Sequence, residues 1–125
     1  DLTDDAIRRA ADVFVQYGMD GITATNTTSS RKGVEGEPKS ENPGGLSGRP
    51  LFERSTAVVQ VLSDHLKGTL PIIASGGVMT PEHAVAKMEA GASLVQLYTG
   101  FIYYGPELIQ TASDAIAQWR KKNGR

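Results

Sequence analysis

Three short stretches bring together residue types able to hold an anion: Thr25-Asn26-Thr27-Thr28, Gly76-Gly77 and Tyr98-Thr99-Gly100. Glycines let the backbone approach a ligand closely, and successive N–H groups converge as donors. A Gly-Gly pair alone is more often a tight turn than a ligand cradle, and Thr25 and Asn26 alone could simply close a turn. Position raises them above that, because each stretch directly follows a segment that reads as a strand. Two glycine-bearing ends on consecutive strands favour binding. Other chemistry is poorly served. Without cysteine there is no disulfide, thiolate metal site or thiol nucleophile, and no metal is expected. His65 and His83 lie on separate helical segments and are expected at the surface. Asn26-Thr27-Thr28 also spells a glycosylation sequon, discounted because no secretion signal opens the chain.

The elements that must position these stretches alternate in type. Thr3 is a suitable N-cap, Asp4 and Asp5 suit the first turn, and Ile7, Ala10, Ala11, Phe14 and Tyr17 recur at helical spacing up to Gly18. Residues 21–25 read as a strand. Residues 26–53 show neither helical nor strand period, and the charged stretch from Arg31 to Glu41 is expected to be solvated or mobile. A helix follows from Ser55 to Leu66, with Val58, Val61, Leu62 and Leu66 on one face. Residues 70–75 form the second strand, and Thr80-Pro81 opens a helix that turns Ala84, Val85 and Met88 inward and stops at Gly91. Residues 92–98 form the third strand. After Gly105-Pro106 a last helix buries Leu108, Ile109, Ala112, Ile116 and Trp119 and ends in Arg120-Lys121-Lys122.

The order α-βα-βα-βα implies a parallel sheet with right-handed crossovers. A doubly wound sheet and a (β/α)8 barrel both satisfy it. A barrel takes about 250 residues, so 125 residues would supply about half of one. The half barrel is the better reading, since three strands with four helices make a thin independent structure. In barrels the C-terminal ends of the strands carry the chemistry, and the last two βα loops commonly form a phosphate site. All three polar stretches fall there. The helix opening at Thr80 begins too far past Gly77 to act alone, so loop amides would do most of the work.

Composition is globular, with 39% hydrophobic and 22% charged residues. A net charge of −1 with dispersed Lys and Arg gives no footprint for nucleic acid. No apolar run is long enough to span a membrane. The chain opens at Asp1 without Met and reads as though cut from a longer one, a single partial domain over residues 1–125.

Five stretches together resemble the C-terminal part of class 2, quinone-linked dihydroorotate dehydrogenase. They are residues 20–28 (DGITATNTT), 44–51 (GGLSGRPL), 70–73 with Gly76-Gly77-Val78, 90–100 (AGASLVQLYTG) and Gly105-Pro106. The set covers nearly the whole chain in the family's order. The resemblance implies a TIM-type barrel holding FMN with orotate stacked on it. Carried over, Thr25 would contact the flavin, and Asn26 and Thr27 would bind orotate. Gly48 and Gly77 would approach FMN through their backbones, and Tyr98 and Thr99 would help hold its phosphate. Dihydroorotate is the implied substrate and a quinone the implied electron acceptor, with the whole enzyme peripheral on the cytoplasmic side of a membrane and this piece soluble. The family's serine base and a flavin-contacting lysine lie upstream of the matching region, so no catalytic base is assigned here; Ser47 is not read as that base. This piece alone would then be inactive. Ser75 and Thr23 depart from the family by placing hydroxyls in strands. Residues 29–43 would lie over the active site and be mobile without ligand. Two other readings stay open: a different FMN- or phosphate-binding barrel enzyme, and a self-associating half barrel without catalysis.

Overall fold

The computed structural model describes residues 1–124. Thr3 caps α1 (Asp4–Gln16), its Oγ1 accepting from Ala6 N–H at 3.3 Å. Then follow β1 (Ile22–Ala24), a 3-10 turn (Arg49–Leu51), α2 (Phe52–Leu66), β2 (Ile72–Ser75), α3 (Pro81–Glu89), β3 (Leu94–Gln96), α4 (Thr99–Tyr104) and α5 (Pro106–Lys122). The strands are shorter than the sequence predicts, although Thr25 and Ser93 continue the ladder with backbone bonds to Ser75 and Ile72. The helix expected from Ser55 starts three residues earlier, at Phe52, led in by the 3-10 turn. The helix α4 is not foreseen at all. Its residues, Thr-Gly-Phe-Ile-Tyr-Tyr, have neither a capping side chain nor good helix formers.

The three strands pair in parallel in the order β1-β2-β3, with Ala24 opposite Ala74 and Ala74 opposite Val95. Ile22, Ala24, Ile72 and Ala74 are buried with Val58, Val59, Leu62, Leu66 and Met88 in one core. On β1 and β2 the alternate residues Thr23, Ile73 and Ser75 are not buried. Helices thus cover only one face. A doubly wound sheet is covered on both, so the chain is part of a (β/α)8 barrel, with the open face corresponding to the barrel interior. The hydroxyls of Thr23 and Ser75 lie on that open face, which explains why they cost the helix-side core nothing.

Burial corrects several expectations. Phe14 and Tyr17 are exposed, because α1 seals only Ile7 and Ala11 and its second half overhangs α2. Ile109 is also exposed, although it neighbours the buried Leu108 and Ala112 on α5. Val85 is only half-buried, whereas Trp119 packs against the main core. His65 is half-exposed and bridges helices, with Nε2 2.6 Å from Asp12 Oδ1.

Candidate functional site

The C-terminal ends of the strands surround a cleft of about 390 Å³, within the usual range for small-molecule sites, roughly 300–1,000 Å³. All seven residues singled out from the sequence line it: Thr25, Asn26, Thr27, Gly48, Gly77, Tyr98 and Thr99. They come from three βα loops and are brought together by the parallel register. Thr25 extends β1 by one step, its N–H donating to Ser75 O at 2.8 Å. Its Oγ1 is then buried without a hydrogen-bond partner, an unusual state for a hydroxyl. Asn26 Oδ1 accepts from Thr27 N–H at 2.7 Å, so the carboxamide has its Nδ2 to offer as a donor. Gln96, at the end of β3, also lines the cleft beside Ser75; the sequence had shown it only as a strand residue.

The glycines act differently from the simple expectation. A Cβ on Gly77 would overlap the backbone of Phe52, and Gly77 has φ +73°. A Cβ on Gly100 would overlap the carbonyl oxygen of Val78, and one on Gly45 would overlap the hydroxyl of Thr27. These positions are small so that loops and helices can close on one another, and the close packing leaves backbone facing the cleft. Gly48, at φ +77° and ψ −158°, occupies a conformation open almost only to glycine and starts the 3-10 turn. Beside it Thr99 Oγ1 donates to Ser47 Oγ at 2.9 Å, joining the long loop to the start of α4. Tyr98 borders the cleft, but its side chain is 75% exposed. The first-turn N–H groups of α4 have no partners within the helix, which supplies donors that the sequence reading had sought in loops alone.

Behind the Gly76-Gly77 turn stands a layer the sequence did not reveal. His83 is half-buried, not a surface residue. Its ring stacks on Phe52 at 4.0 Å between centroids, and its Nδ1 accepts from Met79 N–H at 3.2 Å. Burial pulls its pKa below the usual 6.5, partly opposed by a hydrogen bond with the Gly77 backbone. One turn later Lys87 is fully buried. Its Nζ donates to Ser55 Oγ at 2.6 Å and lies 5.0 Å from the centroid of the Phe52 ring. Burial lowers its pKa from 10.5 to about 8. A lysine one turn from a histidine on a helix reads as a solvated face, so only the packing of α3 onto Phe52 could disclose it.

Residues 28–46 form a tethered loop. Thr28 and Leu46 exchange backbone hydrogen bonds at its neck. The Asp1 carboxylate accepts from Thr28 Oγ1 and, at 2.7 Å, from Ser29 N–H. Inside the loop the Arg31 guanidinium donates to the carbonyls of Ser40, Asn42 and Gly44 at 2.7, 3.0 and 2.8 Å. Among the described residues no helix is long and apolar enough to cross a membrane.

FMN fits this cleft on three counts. Thr25 Oγ1 lacks a partner, the α4 amides face the ends of the glycine loops, and the open sheet face gives a ring system room beside Thr25, Ser75 and Gln96.

A family model described as dihydroorotate dehydrogenase matches residues 1–119. A dihydroorotate dehydrogenase (quinone) from Akkermansia muciniphila is 55% identical over 116 residues, 93% of this chain and 33% of that protein. One from Pseudomonas aeruginosa is 53% identical over 123 residues, 98% of this chain and 36% of that protein. A crystal structure of DHODH from Eimeria tenella in complex with ferulenol superposes with a TM-score of 0.89 at 40% identity, covering 99% of this chain and 33% of that one. The chain spans about a third of the length of these relatives. It belongs to the dihydroorotate dehydrogenase family, and the curated relatives it matches are the quinone-linked form.

Proposed function

We propose that residues 1–125 form the phosphate- and substrate-gripping part of an FMN-dependent enzyme that oxidises dihydroorotate to orotate and passes the electrons to a quinone. The observation that carries this reading is the convergence of three strand ends on one cleft that contains the unpartnered Thr25 hydroxyl. When bound, FMN supplies the redox chemistry by accepting a hydride from the substrate. The rest is orientation and electrostatics from the chain. Thr25 Oγ1 meets the flavin. The α4 amides, the Thr99 hydroxyl and the backbone at Gly77 and Gly48 hold the phosphate. Asn26 Nδ2 and the Thr27 hydroxyl bind the carbonyl and carboxylate oxygens of the pyrimidine. Ser47 is already bonded to Thr99 and sits in the phosphate region, so the base that takes the substrate proton comes from outside these residues. The 125 residues alone therefore turn nothing over. With a quinone as acceptor, the whole enzyme would work at a membrane surface, and its family resemblance implies the cytoplasmic side.

The test is a hybrid joining residues 1–125 to the remaining two-thirds of the Pseudomonas aeruginosa relative. It should bind FMN and reduce a soluble quinone in the presence of dihydroorotate. In that hybrid Asn26→Ala should lower kcat/KM by roughly a hundredfold while FMN stays bound. A folded, flavin-loaded hybrid without turnover, or an Asn26→Ala hybrid of undiminished activity, would refute the assignment.

A further inference from the structure

The buried lysine behind the glycine turn has a role that neither the fold nor the flavin reading requires. Lys87 is fully buried, yet among the described residues no carboxylate pairs with it; the ion pairs there involve Asp4, Asp5 and Asp12. Its recorded partners are a hydroxyl, Ser55 Oγ at 2.6 Å, and the face of the Phe52 ring. Burying an ammonium without a counter-ion is costly. Both partners lead to the same place. Ser55 Oγ lies 2.9 Å from the carbonyl oxygen of Gly76, and the Phe52 backbone fills the space a Cβ on Gly77 would take. The lysine thus stands directly behind the turn whose front lines the cleft.

We propose that Lys87 is a positioning residue for a phosphomonoester: it fixes the Gly76-Gly77 turn through Ser55 and supplies, from behind, the positive charge that answers the phosphate in front. This rests on the flavin reading given above, with the FMN phosphate as the ligand. An ammonium donating to Ser55 Oγ polarises the hydroxyl and strengthens its own bond onward to the turn. Charge at this depth acts through protein, not water, so its field at the cleft is weakly screened.

The charge is also near its titration point. Burial alone lowers the Lys87 pKa to about 8. The charges that act on the neighbouring His83 are Arg49 ahead of α2 and, on α3 itself, Glu82 and Lys87. The pKa of His83 is pushed down from 6.5, so it has already lost its proton in the range that matters. A bound phosphate dianion favours charged Lys87. Affinity for the phosphorylated ligand should therefore be steady from pH 7 to 8 and fall above it, up to about tenfold per pH unit.

The experiment compares FMN with riboflavin, the same ring system without the phosphate, by flavin fluorescence titration of the flavin-free hybrid described above at pH 7.0 and 9.5. The measurement on the unsubstituted hybrid needs no change in this chain. FMN affinity should drop about tenfold or more at the higher pH, while riboflavin affinity stays within twofold. Lys87→Met, which keeps the volume and removes the charge, should weaken FMN at pH 7.0 by a similar factor, erase its pH dependence and leave riboflavin unchanged. If FMN binds the unsubstituted hybrid equally at both pH values and Lys87→Met is without effect, Lys87 is structural and the proposal is wrong while the flavin reading stands. If Lys87→Met weakens FMN and riboflavin alike, the lysine serves the fold of the cleft and not the phosphate, which also overturns it. If neither flavin binds the unsubstituted hybrid, the flavin reading fails and the proposal falls with it.

Discussion

The guanidinium of Arg31 donates to the carbonyl oxygen of Gly44 at 2.8 Å, across thirteen residues of chain, and so closes the long loop from within. The same group also reaches Ser40 and Asn42, while successive turns at Val34, Glu37 and Ser40 carry their own backbone bonds. Hydrogen bonds to a charged donor are stronger than neutral ones. Arg31→Ala should therefore raise amide exchange between residues 32 and 45 by roughly tenfold or more, with α2 and β2 unaffected. Low, uniform protection already in the wild type would show that the loop is mobile despite this clasp.

Gly77 and Gly18 both have positive φ, +73° and +68°, but differ in surroundings. A Cβ on Gly18 meets nothing within 4 Å, while one on Gly77 runs into Phe52. Alanine at position 18 should cost about 1 kcal/mol, from backbone conformation alone. At position 77 the cost should be roughly 3 kcal/mol or more, because α2 must also move. Urea unfolding of the two variants measures the difference, and equal losses would contradict the close approach.

The Lys87 ammonium destabilises the folded chain. Its folded pKa, about 8, lies below the unfolded value of 10.5, so the unfolded state holds more protons between them. Stability from this group is therefore lowest below pH 8 and recovers as pH rises towards 10.5. Lys87→Met should be more stable than wild type at pH 7, and the gap should narrow by pH 10. A variant less stable at pH 7 would mean that the bonds to Ser55 and Phe52 outweigh the cost of burial. His83 gives a parallel signal at lower pH. Its depressed pKa makes the fold lose stability as pH falls through 6.5, and His83→Gln should flatten that slope.

Thr80 Oγ1 accepts from His83 N–H at 3.3 Å and caps α3, the helix that carries both His83 and Lys87. Thr80→Ala should cost about 1 kcal/mol, seen as a fall of roughly 4 °C in Tm. Thr80→Ser should restore it.

What the sequence disclosed followed periodicity and punctuation. The βα order, the caps at Thr3 and Thr80 and the cleft residues from Thr25 to Thr99 were legible, because strand ends and glycines mark them. Lys87 was not, since nothing local distinguishes a buried lysine from a solvated one. Phe52, His83 and Ser55 meet it only after two crossovers bring α2 and α3 side by side. The helix α4 escaped for the opposite reason: its own residues argue weakly for a helix, and its place between β3 and α5 decides it. At Gly77 the sequence showed a strand-end glycine but not its packing, since the missing side chain also makes room for Phe52 of α2.

The strands β1 and β2 present Ile22, Ala24, Ile72 and Ala74 to the helices and Thr23, Thr25 and Ser75 to the cleft, alternating one residue at a time. Sliding β1 by a single position would drive threonines into oil and turn an isoleucine toward the cleft. Recognition and folding thus read the same line of text in the same frame, and a slip that spoiled one would garble the other.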